Sequence, residues 1–405
     1  MSNPYATLPS TTKINPTPFK TSIPEQQLQE FKQLLKLSRL GPRTFENSDK
    51  EGMYGVTHEW MSKAKKEWEE EFDWRASETK INSFPQYTVT IKSGQDELTI
   101  HFTALFSLNP SATPILFLHG WPGSFLEFHP IMEILQNSYT PETLPYHVIV
   151  PSLPGYAFSS GPPLDRDFDL KGVAEVVDQL MVGVLGFERY VAQGGDIGSR
   201  IARVLGVEFE GCKAIHLNFC QMIKEPEGVD QESITTEERA GLERADQFVR
   251  KGSAYSFEHA TRPSTISFAL SASPLALLAW IGEKFLAWSD PATAPSLSTI
   301  LESTTLYYLT DSFPRAIYPY RSDYHPETVG GHDKPRWNVP EDKSMGYSWF
   351  PMELAPMPVA WVQKSKVGGK LWWKRHGRGG HFAALECPDV LLGDVGEFVG
   401  EVWKR

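Results

Sequence analysis

The sequence predicts an α/β fold: a mostly parallel central sheet flanked by helices, with a helical cap insertion and an N-terminal extension. Three observations predict it. Four short apolar runs, residues 115–118, 147–150, 189–192 and 213–219, alternate with amphipathic stretches such as 173–185. That is the pattern of parallel strands buried on both faces. The alternation stops near Phe219, and residues 225–340 are rich in helical patterns, aromatics and prolines. Strand-like runs then return at 359–362 and 370–373. The expected division is an N-terminal domain at 1–110, the first part of the core at 111–224, the cap at 225–340 and the second part of the core at 341–405.

Each element has a local reason. Pro4, Pro9, Pro16 and Pro18 make the first twenty residues an extended arm that resists regular pairing. Ser22 and Glu25 have capping-box spacing, and Leu28, Phe31, Leu34 and Leu35 recur at helical spacing, so 23–37 is expected to be a helix. Trp60, Ala64 and Trp68 share one face of a second helix over 58–72. Tyr87, Val89 and Ile91 alternate with polar residues, as do Leu98, Ile100 and Phe102, and Ser93-Gly94-Gln95-Asp96 is turn chemistry between them. This predicts a hairpin with one buried face.

Composition bounds the function. The 405 residues are 40% hydrophobic and 22% charged, proportions of an ordinary folded chain. With 39 Lys plus Arg against 50 Asp plus Glu, the net charge is −11. An acidic chain without a basic block is a poor partner for nucleic acid or an anionic membrane. The three cysteines (Cys212, Cys220, Cys387) have no metal-ligand spacing and suggest no disulfide framework. No signal peptide or membrane anchor is read at the N-terminus, and the apolar stretch 266–282 is interrupted by Ser267, Ser271, Ser273 and Pro274, as in a buried helix or cavity wall. A soluble cytoplasmic protein is expected.

The strongest chemical signal is Gly194-Gly195-Asp196-Ile197-Gly198, between a strand pattern and a helix pattern. Small residues two before and two after a central polar residue permit a turn so tight that the central side chain is pushed into a cleft. Asp196 is either that exposed nucleophile or a helix N-cap in a Gly-rich turn. His119-Gly120-Trp121-Pro122-Gly123 directly follows the buried run 115–118. It can supply one backbone N–H of an oxyanion hole, from Trp121, while Ile197 supplies the other. His119 itself is read as structural, fixing the loop. Near the end, Gly379-Gly380-His381 puts a histidine on a sharply turned loop. Glu353, placed before the expected strand 359–362, is the acid that would orient it. Glu386 and Asp389 rival Glu353 by proximity in sequence, but they follow the histidine. The order nucleophile, acid, histidine is that of α/β-hydrolases.

These residues carry a resemblance. The chain resembles the epoxide hydrolases of the microsomal type, closest to their soluble fungal members. The resemblance spans nearly the whole chain. It includes Phe72-Asp73-Trp74-Arg75, the two glycine motifs above, Arg262-Pro263-Ser264-Thr265-Ile266, Ala279-Trp280-Ile281-Gly282-Glu283-Lys284 and Gly379-Gly380-His381-Phe382. It implies an α/β-hydrolase fold and hydrolysis of an epoxide by water to a vicinal diol, in detoxification of xenobiotic or metabolite epoxides. Asp196 would form an alkyl ester, and His381, paired with Glu353, would activate the water that cleaves it.

The resemblance also implies two cap tyrosines that protonate the epoxide oxygen: Tyr255, and Tyr320 in preference to Tyr318. No metal or organic cofactor is implied. A homodimer through the cap is the expected assembly. Phe268, Leu270, Leu275, Leu278, Trp280 and Ile281 are the expected cavity lining. The alternatives are a haloalkane dehalogenase of the same fold, which places a Trp where Ile197 stands, and a catalytically silent ligand-binding relative.

Overall fold

The computed structural model describes residues 3–49, 52–94, 96–324, 337–365 and 369–403. Gln95 of the expected hairpin turn and residues 325–336 of the expected cap lie outside these. A nine-stranded sheet organises the molecule. Its strands are β1 (Thr17–Phe19), β2 (Gln86–Ser93), β3 (Asp96–Leu105), β4 (Thr113–Leu118), β5 (Tyr146–Pro151), β6 (Tyr190–Gly194), β7 (Cys212–Leu217), β8 (Ser344–Trp349) and β9 (Leu371–Arg375). The spatial order is β1-β2-β3-β5-β4-β6-β7-β8-β9. β1, β2, β3 and β5 pair antiparallel, and β5, β4, β6, β7, β8 and β9 run parallel.

The four apolar runs become β4, β5, β6 and β7. β4 and β6 are buried at every position, because helices cover both faces of a parallel sheet. The hairpin forms with Ser93 opposite Asp96 and Val89 opposite Ile100. The N-terminal segment departs from the expected unpaired arm: residues 17–19 pair with β2. Pro18 is tolerated there because β1 is an edge strand. The first helix is Glu25–Leu37, and Pro24 rather than Ser22 occupies its N-cap, so the expected capping box does not form. The second helix, His58–Glu70, buries Met61, Ala64 and Trp68.

One expected strand is a helix. Residues 359–362 begin the helix Val359–Lys364, with Pro358 at its N-cap. The strand of that region is instead β8, whose sequence Ser-Met-Gly-Tyr-Ser-Trp is too polar and too small to read as a buried run. Gly346 must be small there, since a Cβ would fall 2.5 Å from His216.

The cap between β7 and β8 includes the helices Thr236–Gln247, Ala254–Thr261, Pro263–Ser271, Pro274–Trp288 and Leu297–Leu309. Thr235 and Glu238 form a complete capping box on the first of these. Among the described residues no single helix is long and apolar enough to cross a membrane. The pair Pro263–Ser271 and Pro274–Trp288 would pass together but is bent by 118°, and the longer partner buries nine of its residues.

Candidate active site

The site lies at the C-terminal ends of β4, β6, β8 and β9, where parallel strands hand over to loops. Asp196 sits in the turn between β6 and the helix Asp196–Glu208. Its φ is +46°, a left-handed conformation that costs a non-glycine residue about 1 kcal/mol or more. The flanking glycines force it. A Cβ on Gly198 would stand 2.1 Å from the Leu118 carbonyl oxygen, and one on Gly194 would stand 2.3 Å from that of Gly198. Asp196 is therefore no N-cap: the cap position is Gly195, without a side-chain bond.

Two backbone N–H groups hold the Asp196 carboxylate. Trp121 N–H donates to Oδ1 at 2.8 Å, and Ile197 N–H donates to the same carboxylate. The approach is close enough that a Cβ on Gly120 would stand 2.1 Å from Oδ1. His119 holds this loop. Its Nε2 accepts from Leu153 N–H at 3.2 Å, and Nδ1 donates to the Gly120 carbonyl at 3.1 Å. Burial lowers its pKa to about 4, so it stays neutral.

His381 stands between two acids. Its Nδ1 is 2.5 Å from Glu353 Oε1 and its Nε2 is 3.2 Å from Asp196 Oδ2. The Nε2 contact is a close ion pair without the alignment of a hydrogen bond. Burial would lower the His381 pKa, but the charges of Glu353 and Asp196 outweigh it and push it up to about 10. Burial would raise the Asp196 carboxyl; the His381 imidazolium and the two N–H groups outweigh that and hold it below the ordinary carboxylate value. Glu353 follows β8 and also accepts from Leu354 N–H at 2.6 Å. The rivals are elsewhere. Glu386 accepts from Asp290 N–H and Phe382 N–H, and Asp389 faces Arg378.

Above Asp196 the cap closes a cavity of about 100 Å³, lined by Asp196, Ile197, Phe219, Phe248, Leu354, Tyr255 and Tyr320 among others. Tyr255 stacks on the Trp121 indole at 5.3 Å, and the Tyr255 and Tyr320 rings meet edge-on at 5.6 Å. Burial, with the nearby Tyr255 and Asp196, raises the Tyr320 pKa well above its ordinary value. Tyr318 does not border this cavity, and its hydroxyl donates to the Pro154 carbonyl at 3.2 Å.

The expected apolar lining is not where the cavity is. Phe268 is 79% exposed, and Leu278 and Ile281 are buried within the cap core. Trp280 donates through Nε1 to His259 Nε2 at 3.0 Å. None of the four borders the cavity at Asp196. The apolarity of 266–282 does not say which way a helix face points. Sequence reasoning also missed His259, whose ring contacts Trp121, Tyr255 and Tyr320. Burial pushes its pKa down to about 3, so it is a neutral spacer behind the tyrosines. No group of three or more His, Cys, Asp or Glu side chains suited to a metal occurs among the described residues.

Comparison with known proteins places this geometry. Residues 16–128 match the family described as "Epoxide hydrolase N terminus", and 113–218 match that described as "alpha/beta hydrolase fold". A relative from Dothistroma septosporum is 46% identical over 400 residues, covering 98% of this chain and 92% of its own. Epoxide hydrolase 1 of Oryctolagus cuniculus is 29% identical over 430 residues, covering 96% of this chain and 89% of its own. The structure of Aspergillus niger epoxide hydrolase superimposes with a TM-score of 0.92 at 50% identity, covering 98% of this chain and 100% of that one. With a strand-to-helix turn presenting Asp196 to a buried His–Glu pair, and this likeness over nearly its full length, the chain belongs to the epoxide hydrolases of the α/β-hydrolase fold.

Proposed function

We propose that the chain hydrolyses an epoxide to a vicinal diol in two steps through an ester on Asp196. One observation carries the reading: an ionised carboxylate held by two N–H groups lies between a His–Glu pair and two buried tyrosines. A carboxylate needs no base to become a nucleophile. Oδ1 is engaged by Trp121, so Oδ2 is the attacking atom. It attacks a ring carbon, the carbon–oxygen bond of the ring breaks, and the alkoxide takes its proton from Tyr255 or Tyr320. A phenol keeps its proton at neutral pH and yields it to a developing alkoxide.

Esterification removes the charge of Asp196. His381 then loses one of the two carboxylates that hold its proton. That proton restores the tyrosine, and the neutral imidazole becomes the base for the second step. Water loses a proton to His381 and adds to the ester carbon. The resulting oxyanion stays at the N–H pair of Trp121 and Ile197, where one such donor is worth about 3 kcal/mol. The ester then breaks, the diol leaves with the proton from His381, and the proton left on the Asp196 carboxyl passes to His381. Every proton is returned, and no step calls for a metal or cofactor.

Formation of diol from racemic styrene oxide by the purified enzyme tests the reaction. The tyrosines act as a pair, so Tyr255→Phe or Tyr320→Phe alone should cost about 10- to 100-fold in kcat/KM. The double variant should cost at least about 1,000-fold. Chiral chromatography of the diol gives both rates. Equal activity of the double variant and the wild type would remove the tyrosines from the reaction.

The pH profile follows from the same groups. Asp196 is held low and Tyr320 is pushed high, so both keep their working forms at neutral pH. His381 stays protonated in the free enzyme until about pH 10. We expect kcat/KM, which reports the free enzyme, to be level from roughly pH 5 to 9. Initial rates at low substrate check this. A step near pH 6.5, the ordinary histidine value, would mean that His381 titrates without its two acids.

The same proposal includes an aqueous reducing compartment such as the cytoplasm, which suits three buried cysteines that form no disulfide. It also includes a homodimer through the cap, where Phe268 stands exposed. Sedimentation of the wild type and of Phe268→Glu should give a dimer and a weakened dimer. A monomeric wild type would discard the assembly.

A further inference from the structure

Asp196 is the shared wall of two cavities. The front one, described above, is bordered by both tyrosines and not by His381. The rear one has a volume of about 20 Å³ and is bordered by His381, Glu127 and Asn218, and not by the tyrosines. A cavity of that size holds a single water if two to four polar groups face it. Three do. His381 Nε2 lacks an aligned partner within the protein. Asn218 accepts from Gln193 through Oδ1 at 2.8 Å, which turns Nδ2 toward Gly195; a Cβ there would fall 2.7 Å from it.

The third group is Glu127, on the short turn Phe125–Phe128. Its carboxyl folds back over Gly123, where a Cβ would fall 1.2 Å from Oε1. The side chain is half-buried, borders the same cavity and accepts from Ser124 N–H. No step derived so far uses this carboxyl.

We propose that the rear cavity seats the hydrolytic water and that Glu127, with Asn218, orients it for attack on the Asp196 ester. The inference rests on the ester pathway proposed above. A water has two hydrogens and two lone pairs. One hydrogen goes to His381 Nε2, and Glu127 accepts the other in a hydrogen bond. Asn218 Nδ2 donates to one lone pair, which leaves the other aimed at the ester carbon. The bond formed is water oxygen to Asp196 Cγ, and the bond broken is water O–H, its proton passing to His381. Glu127 transfers no proton.

Burial pushes the Glu127 carboxyl up to about 8; the pull of the His381 imidazolium opposes this and the Asp196 charge adds to it. Both of those charges are gone in the ester state, and a carboxyl oxygen accepts the water's hydrogen whether or not the group is ionised.

The test separates the two steps in the full-length enzyme. Excess styrene oxide is mixed rapidly with the wild type, Glu127→Gln and Glu127→Asp, quenched, and followed by intact mass as the ester appears and decays. Glu127→Gln should form the ester within about twofold of the wild-type rate and lose it at least about tenfold more slowly. Glu127→Asp should show a smaller selective loss. Retained ester formation is itself the check on folding. Ester decay within about twofold of wild type in both variants would overturn the proposal. So would equal losses in both steps, since Glu127 would then only support the loop. A wild type that forms diol without an ester would instead fail the underlying pathway, and this inference with it.

Discussion

His381→Gln should stop the enzyme at its ester. In this variant the protein still alkylates Asp196, because the nucleophile is ionised by its own chemistry and held by Trp121 and Ile197. Loss of the imidazolium removes one of the groups keeping the carboxylate ionised, so ester formation should slow by no more than about tenfold. Ester cleavage has no such reserve. Glu353 and His381 meet at 2.5 Å, and glutamine offers neither the proton acceptor nor the partner Glu353 requires. Steady-state kcat should fall by about 1,000-fold or more. Quench and mass measurement should find close to one alkyl group per chain, on the peptide containing Asp196. Sustained turnover by this variant would remove His381 from its assigned role.

Asp196→Ala should have the larger effect on kcat/KM, a loss of about 10⁵-fold or to background. No other ionised carboxylate borders the front cavity among the described residues, so the substrate meets tyrosines with nothing to attack it. Circular dichroism of the variant checks folding, since two N–H groups and His381 lose their partner. Asp196→Asn keeps the shape and should be equally inactive in ester formation. Diol formation by Asp196→Ala at the wild-type rate would mean that the residue is only part of a turn.

Much of this was legible in the sequence for physical reasons. β4, β5, β6 and β7 were readable because strands buried on both faces are continuous apolar runs. Asp196 was readable because a tight strand-to-helix turn demands small residues at fixed offsets. β8 was not readable: its burial comes from neighbours packing over Gly346 and Ser348, and neither residue announces a strand. The run 359–362 failed in the other direction. Four apolar residues do not distinguish strand from helix, and Pro358 opens a helix there. Chain order alone points to Glu353, although β8, the strand it follows, is not legible. Tyr255 and Tyr320 came only from family resemblance, because no spacing relates them to Asp196. Glu127, Asn218 and His259 carry no local signal at all. They reach the site through the tertiary path of the loop after β4, the end of β7 and the cap. The misplaced lining, Phe268 above all, shows the limit of apolarity as a guide: it marks buried or buriable surface, not a particular cavity.

The central claim is that oxygen enters the diol from Asp196 and not directly from water. A single turnover in ¹⁸O-labelled water, with enzyme in excess over styrene oxide, tests it most directly. The account predicts unlabelled diol on the first turnover and label in the peptide containing Asp196. Labelled diol from that turnover, with an unlabelled Asp196 peptide, would mean that water opens the epoxide directly, and would contradict the ester on which every other step depends.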